Sequence, residues 1–154
     1  MKLKIELLDH CSRNVAKQIY DLFQQSYKIE AQLVGVHDFP PLQRSTSHIQ
    51  KANSKFLGQW IESDLAAVLE YSLSETHLSV DSLVVHPTYF RRGLASKTLQ
   101  SLLERVHWHS ADVDTAAANH PAIRLYEKFG FSKSKHWETD EGIEKVRLSC
   151  RKTP

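Results

Sequence analysis

The sequence predicts an α+β fold, a mixed and mostly antiparallel sheet of about seven strands flanked by helices on both faces. Three observations carry this expectation. Alternating residues at the N-terminus give way to helical spacing, three strand-like stretches follow across short turns, and the second half runs strand, glycine turn, helix, strand, helix before two last strands. A chain of 154 residues with 41% hydrophobic composition lies in the size range of one globular domain. A single domain over residues 1–154, with one core, is expected.

Residues 2 to 8 alternate polar and apolar side chains as a strand does, and Val15, Ile19, Leu22 and Phe23 recur at helical spacing within Cys11–Tyr27. From Lys28 to Leu42 the pattern breaks, with Gly35 and the Pro40-Pro41 pair preventing a long regular element, so this stretch reads as an irregular loop. A short helix is predicted near Ser45–Ala52. Strands are predicted over Lys55–Ile61, Leu65–Ser72 and Leu78–Val85, joined as hairpins by Glu62-Ser63-Asp64 and Ser74-Glu75-Thr76. Pro87 ends the third of them. A helix then begins near Gly93, and its Ala95, Leu99, Leu102, Leu103 and Val106 form one apolar face. Asp112–Ala117 reads as a strand, Pro121–Phe129 as a helix opened by proline and stopped by Gly130, and Phe131–Glu138 with Ile143–Cys150 as the final strand pair.

Composition excludes several classes. A formal charge of +2 with 25% charged residues lacks the electrostatic footprint of a phosphate-backbone binder, so nucleic acid is not an expected partner. Cys11 and Cys150 stand at opposite ends of the chain and match neither a disulfide scaffold nor a CxxC site, which suits a reducing, cytoplasmic setting. The start MKLKIELLDH alternates polar and apolar residues, unlike the apolar centre of a secretory signal. No run approaches the ~18 apolar residues of a membrane span, so a soluble protein with no membrane partner is expected. Of nine histidines only His107 and His109 are close, and two residues apart on a helix they face different directions, so no metal is expected.

The stretch from Leu78 to Glu104 has a physical logic of its own. Leu83-Val84-Val85 is apolar, Pro87 stops the ladder, and the turn Thr88 to Arg92 leads into a helix whose first small residues are Gly93 and Ala95. The amides of that first turn lack intrahelical partners and sit at the positive end of the helix dipole. They form a ready anion site, small residues let a phosphate approach the backbone, and Arg91 and Arg92 add charge. A pyrophosphate suits this arrangement; the plainer alternative is a turn glycine beside two solvated arginines. The spacing matches neither the dinucleotide fingerprint GxGxxG nor the P-loop pattern, whose glycines are absent. It resembles the acetyl-CoA-binding motif of the GNAT family of N-acetyltransferases, Q/R-x-x-G-x-G/A after a strand ending in V-x-P. Val85-His86-Pro87 is followed by Phe90-Arg91-Arg92-Gly93-Leu94-Ala95, with Phe90 standing where the family has Gln or Arg. A second block, Asn119 to Phe131, resembles the family pattern NxxAxxxYxxxGF at Asn119, Ala122, Tyr126, Gly130 and Phe131. The resemblance covers residues 55–150 well and the N-terminal third only by its order of elements.

The resemblance implies a GNAT-like acyl-CoA N-acyltransferase fold. It also implies transfer of an acetyl group from acetyl-CoA to a primary amine of a small molecule or peptide, by direct attack in a ternary complex. In the family the strand before the cofactor turn splays from its neighbour and offers main-chain groups to the pantetheine arm and thioester carbonyl, which implies Leu83, Val84 and Val85. By the same likeness Arg91, Arg92, Gly93, Leu94, Ala95 and Ser96 receive the pyrophosphate. Asn119 faces the pantetheine, although an asparagine before His-Pro equally suits a helix N-cap. Tyr126 matches the family's tyrosine near the coenzyme sulfur, where a phenol serves as general acid or as hydrogen-bond donor to the thiolate. Asp114 stands five residues before Asn119, where some members carry a catalytic glutamate, and is the first candidate general base. Asp81, Glu70 and ordered water follow it.

The acceptor is the least legible part. Tyr27 to Leu42 combines Tyr27, Leu33, Val34, Val36 and Phe39 with Glu30 and Asp38, an apolar wall carrying acidic groups that suits a cationic amine. Glu30 and Asp38 are therefore the substrate-binding candidates; the alternative is that the apolar residues close the core and the carboxylates stay in solvent. A non-catalytic acyl-CoA-binding or sensing module is the alternative function, and a partner-binding domain with fortuitous motifs a third. Dimers are frequent in the family, which leaves a homodimer open.

Overall fold

The computed structural model describes residues 3–36 and 38–153. Seven strands form one sheet: β1 Leu3–Leu7, β2 Lys55–Ile61, β3 Asp64–Ser74, β4 His77–Val85, β5 Ser110–Ala116, β6 Ser132–Glu138 and β7 Glu144–Arg151, in the order β1-β2-β3-β4-β5-β7-β6. β4 and β5 pair parallel and every other pair is antiparallel. The helices are α1 Arg13–Val34, α2 Thr46–Gln50, α3 Leu94–Arg105 and α4 His120–Lys128. Residue 2 of the first predicted strand and His37 of the predicted loop lie outside the described residues.

β2 and β3 are apolar on both faces because both faces are covered. Phe56 and Val68 join Ala16, Ile19, Leu22 and Phe23 in the core under α1 and α2. Their neighbours Leu57 and Leu69 point the other way, with Leu78 and Val113, into the core under α3 and α4. Each fully buried side chain of this kind contributes about 1.5–3 kcal/mol, so the alternation along each strand sets which helix it holds.

One expectation is corrected. The predicted loop is irregular only from Gly35 on: α1 continues from Lys28 through Val34 and stops at Gly35. Lys28, Ile29, Glu30, Ala31, Gln32 and Leu33 contain no helix breaker. Gly35 takes φ 79 and its N–H donates to the Ala31 carbonyl, a left-handed C-terminal stop. Ala31 is buried against Phe39, Ala116 and Ile143. Glu30 consequently sits on a rigid helix, whereas Asp38 is exposed on the segment after it.

The feature that opens a site lies between β4 and β5. Their parallel ladder runs only from His77↔Ser110 to Val80↔Val113. Beyond it β4 stays paired with β3 as far as Val85↔Ala67, and β5 with β7 as far as Ala116↔Lys145. The two strands therefore part after Val80. A register shift between Glu70 and Tyr71 on β3 accompanies the parting.

Candidate active site

The gap between the strands continues into a cleft of about 480 Å³. Its walls are Leu83, Val84 and Val85 of β4, the start of α3, the first turns of α4, and Ser26, Ile29, Glu30 and Leu33 of α1. The β4 groups that face β5 beyond Val80 have no ladder partner there, so main-chain donors and acceptors line the wall. Three large apolar side chains that remain exposed, Ile29, Leu33 and Phe90, gather at this cleft. Exposed apolar groups collected at one mouth suit an apolar ligand or partner.

The end of the cleft has the features that anion sites use. His86 accepts from the Thr88 N–H and holds the short turn Pro87–Tyr89. Arg91 at φ 64 and Gly93 at φ 75 then bend the chain so that α3 starts at the cleft. A non-glycine residue in that conformation costs about 1–3 kcal/mol, a strain concentrated at the turn. No side chain caps α3, which leaves its first amides for a ligand at the positive end of the helix dipole. Gly93, Leu94, Ala95, Ser96 and Arg91 all line the cleft; Arg92 does not, its guanidinium lying 5.5 Å from the centre of the Tyr89 ring. The residues present thus fit a pyrophosphate at the turn and a narrow, mostly apolar arm along β4.

Tyr126 projects from α4 into the same cleft and is 4% exposed. Burial first, and Glu30 second, push its hydroxyl above the ordinary phenol range, so it stays protonated. Among the described residues that hydroxyl has no hydrogen-bond partner, yet it is not sealed off: the one buried side-chain polar atom lacking a partner is Trp60 Nε1. Asn119 is both N-cap and cleft residue, its Oδ1 accepting from the Ala122 N–H and its Nδ2 donating to Glu30 Oε1 at 2.9 Å. Burial raises the Glu30 carboxyl above the usual carboxylate range, the Asn119 hydrogen bond and Lys145 opposing it. Tyr27, one turn away on α1, is likewise raised by burial and by Glu30.

The other carboxylates stand apart. Asp114 does not line the cleft; it is engaged by Arg147 through Nε at 2.7 Å and Nη2 at 3.1 Å. Asp38 does not line it either. Glu70 is buried, which pushes its carboxyl up, but Arg44 at 2.6 and 2.9 Å together with Ser54 and Ser82 outweighs burial and holds it below the usual range. Asp81 is exposed and accepts from Ser72 at 2.8 Å. Ser26 and Ile29 are not among the residues the sequence singles out; they join Glu30 and Leu33 on the flank of α1 that lines the cleft. A larger groove of about 760 Å³ on another side of α1, reaching Tyr89, gathers none of the predicted site residues. Among the described residues no group of three His, Cys, Asp or Glu side chains is placed to hold a metal, and no helix is long and apolar enough to cross a membrane.

Comparison with known proteins bears on the family and the fold. The family model described as Acetyltransferase (GNAT) family matches residues 16–131. The chain is 30% identical over 144 residues to UPF0157 protein YqkA of Bacillus subtilis (strain 168), covering 90% of this chain and 41% of that protein. Among solved structures it resembles the ribosomal-protein-S18-alanine N-acetyltransferase from Escherichia coli, with TM-score 0.75 and 19% identity over 97% of this chain and 94% of that one. It also resembles the PaiA N-acetyltransferase from Thermoplasma acidophilum in complex with coenzyme A, with TM-score 0.76 and 15% identity over 99% and 100%. At these identities the structural likeness speaks for the fold.

Proposed function

The chain belongs to the acetyltransferase (GNAT) family, and on that premise we propose that it transfers the acetyl group of acetyl-CoA to a primary amine of a small molecule or peptide, both bound at once. One observation carries the reading. A buried, protonated phenol with no hydrogen bond among the described residues opens into a cleft that ends on a helix start without a side-chain cap. That is where a thioester sulfur would lie if its pyrophosphate were held at Arg91 to Ser96 and its pantetheine arm along Leu83 to Val85. The coenzyme A bound in the Thermoplasma neighbour supports this choice of donor.

In this reading acetyl-CoA supplies an activated carbonyl, and the protein supplies position, charge and a proton donor. Unpaired β4 amides orient the thioester carbonyl and stabilise its oxygen as negative charge develops. A neutral amine, approaching from the α1 side where Glu30 favours a cation, attacks the carbonyl carbon. The C–S bond breaks, and the Tyr126 hydroxyl donates a hydrogen bond to the departing sulfur. A primary amine held this way needs no covalent acyl-enzyme, since both reactants share one cleft. Two measurements test the proposal. Coenzyme A at 100 times its dissociation constant should stabilise the protein by ~2.7 kcal/mol in a thermal shift. Thiol release from acetyl-CoA should then depend on added amine; binding without amine-dependent release would leave a sensing module instead.

A further inference from the structure

Resting on the transfer reading above, we propose that Glu30 of α1 is the general base of this protein, positioned by Asn119. The carboxylates differ in what each one touches. Arg44 occupies both oxygens of Glu70, Arg147 occupies both oxygens of Asp114, and Asp81 lies outside the cleft with Ser72 on one oxygen. An arginine that grips both oxygens removes the lone pairs a base must offer. Glu30 alone of these carboxylates lines the cleft, and among the described residues only one of its oxygens accepts a hydrogen bond, from the Asn119 amide 89 residues away.

Asn119 links two elements that must act together. Its Oδ1 caps α4, the helix that carries Tyr126, while its Nδ2 fixes the Glu30 carboxylate. Carboxylate and phenol therefore share one cleft under a common anchor. The groups facing Glu30 are Lys145 from β7, Asn119 at the cap of α4, Tyr126 from α4, and Tyr27 on α1 itself. Lys145 and Asn119 favour the carboxylate, whereas burial opposes it and brings its proton affinity closer to that of an amine.

The proton accounting closes. The acceptor arrives as an ammonium and gives one proton to Glu30, leaving a nitrogen lone pair. That nitrogen bonds to the carbonyl carbon, and the C–S bond then breaks with its electron pair going to sulfur. The second nitrogen proton passes to the thiolate through the cleft, and Glu30 releases its own to solvent, so amide, free thiol and one proton leave.

Glu30→Gln keeps the shape and the Asn119 contact and removes the base. Its test compares ethylamine, an ammonium at neutral pH, with 2,2,2-trifluoroethylamine, which is already neutral there. A base role predicts a ~10²–10⁴-fold loss of kcat/KM with ethylamine and a loss at least about tenfold smaller with the fluorinated amine. Coenzyme A affinity by calorimetry should stay within about twofold. Asn119→Ser, which keeps a capping side chain, should move the acidic limb of the ethylamine pH profile upward by removing a hydrogen bond to the charged form. Equal losses with both amines would assign Glu30 to recognition alone and overturn the proposal, as would a parallel loss of coenzyme A affinity or an unmoved limb. Wild-type protein that binds acetyl-CoA yet releases no thiol with either amine or a broader amine panel removes the transfer reading itself, and the base with it.

Discussion

Replacing Tyr126 with phenylalanine should separate catalysis from stability. The ring is packed against Phe131, with centroids 5.7 Å apart, and belongs to the core under α3 and α4, so the phenylalanine ring keeps that packing. The hydroxyl has no protein partner among the described residues, so its removal breaks no hydrogen bond and relieves a partly desolvated polar group. Stability should therefore be unchanged or rise by up to about 1 kcal/mol, roughly 2–4 °C in Tm for a chain of this size. Turnover should move the other way. A hydrogen bond to a charged group contributes about 1.5–3 kcal/mol, and at ~1.36 kcal/mol per decade its loss lowers kcat about 10- to 160-fold. The assay is thiol release at saturating acetyl-CoA and the best amine of a panel, beside thermal denaturation of both proteins. Wild-type kcat in the variant, or a Tm loss above about 4 °C, would refute the reasoning by showing that the hydroxyl serves the fold rather than the sulfur.

Three further outcomes follow from the same geometry. In Gly93→Val a Cβ would meet no atom within 4 Å, so the penalty comes from forcing a β-branched residue to φ 75, about 1–3 kcal/mol, and coenzyme A affinity in calorimetry should fall at least ~10-fold; undiminished affinity removes the pyrophosphate from this turn. Arg44→Met strands a carboxylate whose side chain is 7% exposed and should cost about 3 kcal/mol in denaturant unfolding, most of it restored by adding Glu70→Gln. In the wild type Glu70 is held low, so its stabilisation is present above its unfolded pKa of about 4.3 and is lost as pH falls through the lower folded value; without Arg44 burial raises it and the slope reverses, stability falling as pH rises. A loss under ~1 kcal/mol would show that the pair is not the buried ion pair described. Asp114→Asn and Asp38→Asn should each leave kcat and KM within about twofold, because the first removes a half-exposed pair and the second an exposed carboxylate outside the cleft, whereas a ~100-fold loss in Asp114→Asn would return the base to β5.

The strands and the two motif blocks were legible along the chain because their signals are local. A strand-like run closed by the turn Glu62-Ser63-Asp64 located Lys55–Ile61 to the residue, and Asn119 ahead of Pro121 announced the start of α4, where the structure gives it the cap. The C-terminal stop at Gly35 was also local, but the mixed polar and apolar run from Lys28 hid the seven residues of α1 before it. A helix flank that faces a cleft instead of a core loses the apolar rhythm that identifies helices, and Ser26, Ile29, Glu30 and Leu33 form such a flank.

What residue types can do was therefore readable, and which of them meet was not. Asp114 and Glu70 look as basic in sequence as Glu30 does. They differ because β7 sets Arg147 opposite Asp114, and the segment before α2 lays Arg44 across Glu70. Asn119 reaches Glu30 across 89 residues only because α1 packs beside the point where β4 and β5 separate. Periodicity assigns each side chain a face from its immediate neighbours. Partners across a cleft depend on strand order and on where one ladder stops, which are decided by burial summed over the whole sheet.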